Sequence, residues 1–155
     1  MIAAEGGNAV AASYDVTSSA QCAAVAQDAV SRWGRLVCLD NNVGIGSQGT
    51  IVEETEENWK RVMNVNVDTM FLACKHAIPA MIRTAGGGAI VNVSSISALR
   101  PRGLTAYTVS KGAVIATHQG DRGRSRRGRH PRQLCGPRIG LHAHGLLSGH
   151  DRTGA

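Results

Sequence analysis

Tyr107 and Lys111 are the residues of this chain whose types and spacing are best suited to chemistry. On a helix, residues four positions apart lie on one face with their tips within reach of each other. A phenol normally keeps its proton to about pH 10, and a fixed ammonium nearby favours the phenolate. Such a phenol could take a proton from an alcohol or give one to a carbonyl. The pattern predicts an acid/base pair, while a plain surface pair on a helix is the alternative.

A pair of hydroxyl residues closes the apolar run that precedes this helix. Residues 87–95 read GGAIVNVSS and predict a buried strand that ends at Ser94 and Ser95. A hydroxyl at a strand end could hold a substrate oxygen beside Tyr107. The strand makes the Tyr-x-x-x-Lys spacing far more specific than it is alone.

Strands and helices alternate in the elements that must position these residues. The pattern predicts strands over 9–14, 36–39 and 89–93, a helix capped by Ser18 or Ser19 and ended by Gly34, a long helix from Thr55 to the glycines at 86–88, and a helix from Tyr107 to about Thr117. This alternation is typical of a doubly wound α/β fold with a parallel sheet. Ligands of such sheets bind at the carboxyl ends of the strands.

Polar residues follow three of the predicted strands at those ends, and together they form one candidate site. Asp15 follows the first strand, Asn41 and Asn42 follow the second, and the serine pair follows the third. Asp15 could instead only cap the next helix, and the two asparagines could only form a turn.

Length, composition and cysteines indicate one globular domain. A chain of 155 residues suffices for one core, and 43% hydrophobic residues with 3% aromatics and 19 glycines fit an α/β protein. The four cysteines show no paired spacing, which favours a reduced, cytoplasmic setting without a zinc site or any other metal site. The N-terminus does not read as a signal peptide, and no apolar run is long enough to span a membrane.

The composition changes sharply after Ala116. Residues 117–155 hold eight of the 17 Lys and Arg but two of the 11 Asp and Glu, so the entire net charge of +6 belongs to this tail. Its arginine run could bind nucleic acid through phosphate charge, but it lacks interleaved aromatics, and a disordered tail is the favoured interpretation. His142 and His144 are read as tail composition rather than as metal ligands.

Five motifs in order resemble the short-chain dehydrogenase/reductase family of NAD(P)-dependent oxidoreductases. They occupy residues 15–17, 41–44, 64–66, 90–95 and 107–111, and the resemblance covers residues 7–116, roughly three quarters of the chain. It implies a Rossmann fold, NAD or NADP as cofactor, hydride transfer between the cofactor and a small alcohol or carbonyl substrate, and homo-oligomers in the intact family.

The resemblance also implies a role for each matching residue. Asn66 would hold a water in a proton relay, Ser95 would orient the substrate oxygen and Tyr107 would be the acid/base. Lys111 would bind the nicotinamide ribose and favour the Tyr107 phenolate. The cofactor contacts would be Asp15, Val16, Asn41, Asn42, Gly44, Tyr107 and Lys111.

Three departures from the family pattern stand out. Asp40 occupies a strand position that is usually apolar. The interval between Ser95 and Tyr107 is slightly short, which leaves Ser94 as the alternative catalytic serine. The glycine-rich phosphate turn is absent, so we expect a Rossmann-like fragment that lacks the first βαβ unit and leaves strands 9–14 and 36–39 short of partners.

The composition change near Ala116 has the form of a frameshift. Residues 129–137 can be encoded so that the same bases, read one base later, give GIRVNCVAP, which resembles the family's next strand. We therefore expect a partial Rossmann domain over residues 1–116 and an irregular, basic tail over 117–155. The expected function is NAD(P)-dependent alcohol/carbonyl interconversion, the alternative an inactive fragment that at most self-associates, and nucleic-acid binding is the least favoured.

Overall fold

Three parallel strands and four α-helices make up the part of the chain that the structure describes, residues 2–101, 103–125 and 138–144 of a computed structural model. The α-helices are α1 (Ser19–Trp33), α2 (Glu56–Met63), α3 (Thr69–Ala85) and α4 (Thr105–Ser125), and the strands are β1 (Cys38–Asn41), β2 (Ala89–Ser95) and β3 (Arg138–His144). Short 3-10 helices cover Ile2–Glu5 and Ile96–Ala98, and one π-helical turn, Asn64–Asp68, joins α2 to α3.

The sheet has the order β1-β2-β3, with both neighbouring pairs parallel. Helix α3 packs against β1 and against α1, and α4 packs against β2. The core lies between α3 and the sheet, where Ala77, Met81 and Ile90 are buried. The parallel sheet with helical crossovers confirms the predicted α/β fold class.

Local signals set the helix ends as predicted. The Ser18 hydroxyl accepts the Gln21 N–H at the start of α1, and the Thr55 hydroxyl caps α2. Gly34 ends α1 at φ 75°, and Gly86 ends α3 at φ 71°. Glycine adopts this left-handed conformation without the steric cost that a Cβ brings, so these two residues stop their helices.

The strand predicted over residues 9–14 is wrong. This segment forms no strand, and most of its side chains are exposed. A strand needs a neighbour to satisfy its backbone N–H and C=O groups, and no strand within the described ranges lies beside this segment. The strand predicted over 36–39 is shifted to β1, because its pairing partner on β2 begins at Ala89, opposite Cys38.

Regular backbone structure continues beyond Ala116. Helix α4 extends to Ser125, and β3 pairs with β2 over its full length, where the tail pattern indicated irregular chain. Residues 138–144 read RIGLHAH, an alternation of apolar residues with polar residues or glycine that is typical of a strand, and the prediction of an irregular tail did not use this short pattern. The arginine-rich residues 126–137 and the C-terminal 145–155 lie outside the described residues, and the domain boundary at 116 stays a prediction. Within the described ranges no helix is long and apolar enough to cross a bilayer.

Candidate active site

The π-helical turn between α2 and α3 contains the buried residue Asn66. Its side chain, 1% exposed, accepts the Ile45 N–H at 2.8 Å and donates to the Ile45 C=O at 2.9 Å. These two bonds attach the loop after β1 to the long helix. A π turn of this kind inserts an extra residue into the helix ladder and is frequent at functional sites.

Lys111, on α4, is also buried. Its Nζ donates to the Val93 C=O at 2.8 Å and lies 5.9 Å from the centre of the Tyr107 ring. Burial lowers the pKa of Lys111 below its usual value. The spacing of the two residues on α4 therefore brings them onto one face, as predicted, with the amine anchored to β2.

Gly44 allows the loop, Asn66 and Lys111 to meet. A Cβ at this position would stand 3.2 Å from Lys111 Nζ and 3.3 Å from Asn66 Oδ1. A side chain here would press against both groups, so close approach favours glycine. The three residues come from three separate elements and converge on one point at the end of β1.

The two serines at the end of β2 have different partners. The Ser94 hydroxyl donates to the Lys111 C=O at 2.8 Å and so ties β2 to α4. The Ser95 hydroxyl accepts the Ser97 N–H and caps the short 3-10 helix. Both serines are 2% exposed.

Two cavities meet at Lys111. The strand-end cavity, about 250 Å³, is lined by Asn42, Gly44, Ile45, Gly46, Val93, Ser94, Tyr107 and Lys111. The apolar cavity, about 200 Å³, is lined mainly by residues of α1, α3 and β1 and reaches Val114 on α4, and its lining includes Val16, Asn41 and Asn66. Val93 and Lys111 border both cavities. Within the described residues, Ser94 rather than Ser95 borders the strand-end cavity.

Asn41 joins the two strands beneath the site. Its Nδ2 donates to Asn92 Oδ1 at 2.7 Å and contacts Cys74 Sγ at 3.3 Å. Asn92 is buried, so this amide pair satisfies polar groups that would otherwise be costly in the core. Asn42, the next residue, is exposed at the mouth of the strand-end cavity.

Asp15 lies apart from both cavity linings and makes local bonds. Its carboxylate accepts the Thr17 hydroxyl at 2.6 Å and the Thr17 N–H at 2.9 Å, and these bonds hold the Asp15 pKa below its usual range. The Asp15 C=O accepts the Ser18 N–H just before α1. In the structure, Asp15 therefore stabilises the turn that precedes α1.

Sequence reasoning missed three buried polar residues at this site: Asn92, Ser47 and Ser110. Ser110 lies inside the Tyr107–Lys111 motif, and its position three residues after Tyr107 was a usable signal. Ser47 gives no signal in the sequence, because its partner is the Tyr107 N–H, sixty positions away in the chain.

The site residues fit one end of a nicotinamide cofactor. A polar cavity bordered by a lysine amine, a phenol and a glycine that permits close approach suits a ribose and a flat ring. A pyrophosphate is normally held by a glycine-rich turn that opens a helix. Gly6 and Gly7 do not provide one within the described chain, because residues 7–15 follow without helix and α1 begins only at Ser19. Within the described residues, no cluster of metal-ligating side chains occurs.

A parallel α/β sheet with a Tyr-Lys pair and serines at its carboxyl end is the arrangement expected of a nucleotide-dependent oxidoreductase. The family model for short chain dehydrogenases matches residues 1–121. The chain belongs to the short-chain dehydrogenase/reductase family.

Known proteins resemble the chain over about half of their own length. The 2,5-dichloro-2,5-cyclohexadiene-1,4-diol dehydrogenase LinX of Sphingobium indicum is 37% identical over 114 residues, which cover 73% of this chain and 45% of LinX. Meso-2,3-butanediol dehydrogenase of Serratia marcescens is 31% identical over 110 residues, 70% of this chain and 43% of that enzyme. A crystal structure of a Burkholderia phymatum short chain dehydrogenase/reductase in complex with NAD matches 92% of this chain and 50% of its own, with 26% identity and a TM-score of 0.80.

Proposed function

We propose that the chain carries the proton-transfer site of an NAD(P)-dependent oxidoreductase that interconverts an alcohol and a carbonyl. The observation that carries the proposal is the convergence of Gly44, Tyr107 and Lys111 at the strand-end cavity, with Asn66 bonded to Ile45 of its lining. A phenol and an amine on one helix face, beside a cavity at the end of a parallel sheet, suit proton transfer to a substrate oxygen.

Each residue has a role at a stated atom. The Tyr107 phenol gives its proton to a carbonyl oxygen in reduction, and its phenolate takes the proton of an alcohol in oxidation. The Ser95 hydroxyl holds that oxygen in place, with Ser94 as the alternative. Lys111 Nζ binds the ribose hydroxyls, and Asn66 holds a water that relays the proton towards Lys111. A bound nicotinamide, of either NAD or NADP, would donate the hydride in reduction and accept it in oxidation.

The remaining cofactor contacts are proposed for the residues at the end of β1 and before α1. Gly44 and Asn42 border the strand-end cavity, and Asn41 supports the sheet beneath it. Val16 borders the apolar cavity. Asp15, with Val16, is proposed as the contact for the adenine end.

A small alcohol or carbonyl is the proposed substrate class. Two of the relatives are diol dehydrogenases by name, and the strand-end cavity of about 250 Å³ has room for a small molecule beside Tyr107. We also propose a cytosolic location, since Cys22, Cys38 and Cys74 are free thiols.

The test is NADH- and NADPH-dependent reduction of a panel of small ketones and diketones. The loss of absorbance at 340 nm measures the rate. Tyr107→Phe is the inactive control, and the matched Tyr14→Phe variant should retain the rate. Turnover that Tyr107→Phe abolishes supports the proposal. Turnover that is equal in both variants, or no turnover and no binding of either cofactor, refutes it for this chain.

A self-associating module without activity is the second candidate. Three apolar side chains on α3 and α4, Phe71, Ile82 and Val109, are between 42% and 56% exposed, and a contact between copies of the chain would remove them from water. Sedimentation velocity would reveal a dimer or larger species that Phe71→Glu dissociates. A monomer at all concentrations excludes this candidate and also the proposed homo-oligomer.

A further inference from the structure

Both backbone groups of Tyr107, the N–H and the C=O, hydrogen-bond to serine hydroxyls. The Tyr107 N–H donates to Ser47 Oγ at 3.0 Å, and the Tyr107 C=O accepts from Ser110 Oγ at 2.7 Å. Ser110 is fully buried and Ser47 is 8% exposed. Tyr107 is the third residue of α4, so its N–H has no partner within the helix and needs one from elsewhere.

These two serines belong to one closed circuit of hydrogen bonds. Asn66 Nδ2 donates to Ser110 Oγ at 2.9 Å, and the same amide bonds both backbone groups of Ile45. Ile45 lies two residues before Ser47 in the loop after β1. The circuit therefore runs from the loop through the π turn to Ser110, then to Tyr107, and returns to the loop through Ser47.

A structural need alone does not explain Ser110. A serine that bonds back to a carbonyl of its own helix slightly disfavours the helix, and an alanine would be the better helix former. The second bond, from Asn66, gives the hydroxyl a further function, because it connects α4 to the π turn, whose Asn66 also bonds Ile45 in the lining of the strand-end cavity. The connection fixes where the Tyr107 backbone sits relative to the loop that carries Gly44.

We propose that Ser47 and Ser110 are positioning residues that fix Tyr107 against the loop after β1. The inference rests on the proposed function for its catalytic meaning, whereas its geometric content can be tested without activity. Neither serine belongs to the lining of the strand-end cavity. Their effect is on the placement of the phenol, and a displacement of about 1 Å at a reacting group can cost a hundredfold in rate.

The geometric test uses fluorine NMR, because Tyr14 and Tyr107 are the only tyrosines of the chain. In a Tyr14→Phe background, 3-fluorotyrosine labels Tyr107 alone. Ser110→Ala and Ser47→Ala are compared with Ser19→Ala, a serine on α1 whose hydroxyl bonds His76. We expect a shifted or broadened resonance in the first two variants and the parent resonance in the third. Parent resonances in all three would overturn the inference.

The kinetic test separates positioning from general destabilisation. For Ser110→Ala we expect kcat to fall about tenfold to a hundredfold, with KM for the cofactor within about twofold and partial recovery in Ser110→Thr, which keeps the hydroxyl. Ser47→Ala, in a loop, provides the same test should Ser110→Ala not fold. An unchanged kcat in folded variants would overturn the inference. If the wild-type chain has no turnover, the proposed function fails while the NMR result still decides the geometry.

Discussion

Two sides of the molecule differ in how their polar groups are satisfied: the side of β2 and α4, and the N-terminal side formed by residues 7–15. On the side of β2 and α4, the side chains of Asn66, Ser94, Ser110 and Lys111 all hydrogen-bond across elements. On the N-terminal side, residues 7–15 form no helix or strand and are mostly exposed, and the Asp15 carboxylate bonds to Thr17, two residues further on. The residues proposed for proton transfer are therefore held by bonds across elements, whereas those proposed for the adenine end are held by local turns.

The largest expected effect separates the two tyrosines. Tyr107→Phe removes the only phenol at the strand-end cavity and should lower turnover by about 10²- to 10⁴-fold, the usual contribution of a general acid/base. Tyr14→Phe should leave turnover unchanged, and both variants should retain the melting temperature because no backbone bond is lost. Steady-state rates and thermal melts check this. Equal losses in both variants would remove the distinction between the two sides.

The stability of the two sides should differ in the same direction. Met81→Ala deletes a fully buried side chain between α3 and the sheet and should lower the free energy of unfolding by about 2–5 kcal/mol. Val10→Ala, in the extended segment, should change it by less than about 0.5 kcal/mol. Urea denaturation followed by circular dichroism measures both values. A large loss from Val10→Ala would show that the N-terminal segment is part of the cooperative core.

The serine pair should separate stability from turnover. Ser94→Ala removes the bond to the Lys111 C=O and should cost about 0.5–1.5 kcal/mol in the free energy of unfolding. Ser95→Ala should lower turnover more than Ser94→Ala does. Urea denaturation and steady-state rates of both variants are the measurements. The reverse order of turnover would assign the substrate oxygen to Ser94, which borders the strand-end cavity.

The smallest expected effect is a pH dependence of stability from Lys111. Its pKa is lowered by burial in the folded chain, so between that pKa and the usual value near 10.5 the unfolded chain binds more protons. The free energy of unfolding should therefore rise with pH across this window. Lys111→Met should lack this part of the rise in urea denaturation between pH 7 and 10.5. Identical pH slopes in both proteins would contradict the burial of the charge.

Local features of the sequence predicted what depends on neighbours in the chain. The caps at Ser18 and Thr55, the stops at Gly34 and Gly86, and the helical spacing of the Tyr-Lys pair are such features, since each needs only residues within one or two turns. The strand that ends in the serine pair was also predicted from its apolar run, and its last four residues, 92–95, are all buried.

Features that depend on distant partners could not be predicted in the same way. The segment 9–14 has the composition of a strand, but a strand forms only with a neighbour, and none lies beside it in the described chain. Strand β3 alternates Ile139, Leu141 and Ala143 with polar residues and glycine, but the arginine-rich composition around it favoured an irregular tail, and its partner β2 lies 49 positions earlier in the chain. The bonds of Ser47 and Asn66 join residues 60 and 21 positions apart, distances at which sequence spacing gives no geometric constraint.

Competition between the two halves of the cofactor tests the central claim most directly. Reduced nicotinamide mononucleotide carries only the reactive end of NADH, and ADP-ribose carries only the other end. NADH fluorescence would be titrated with the wild-type chain and then displaced with each half. We expect the mononucleotide to displace NADH at concentrations within about tenfold of the NADH Kd, about 1.4 kcal/mol, and Lys111→Met to abolish binding of both. Displacement by ADP-ribose alone, with binding retained in Lys111→Met, would contradict the claim that the strand-end cavity holds the reactive end.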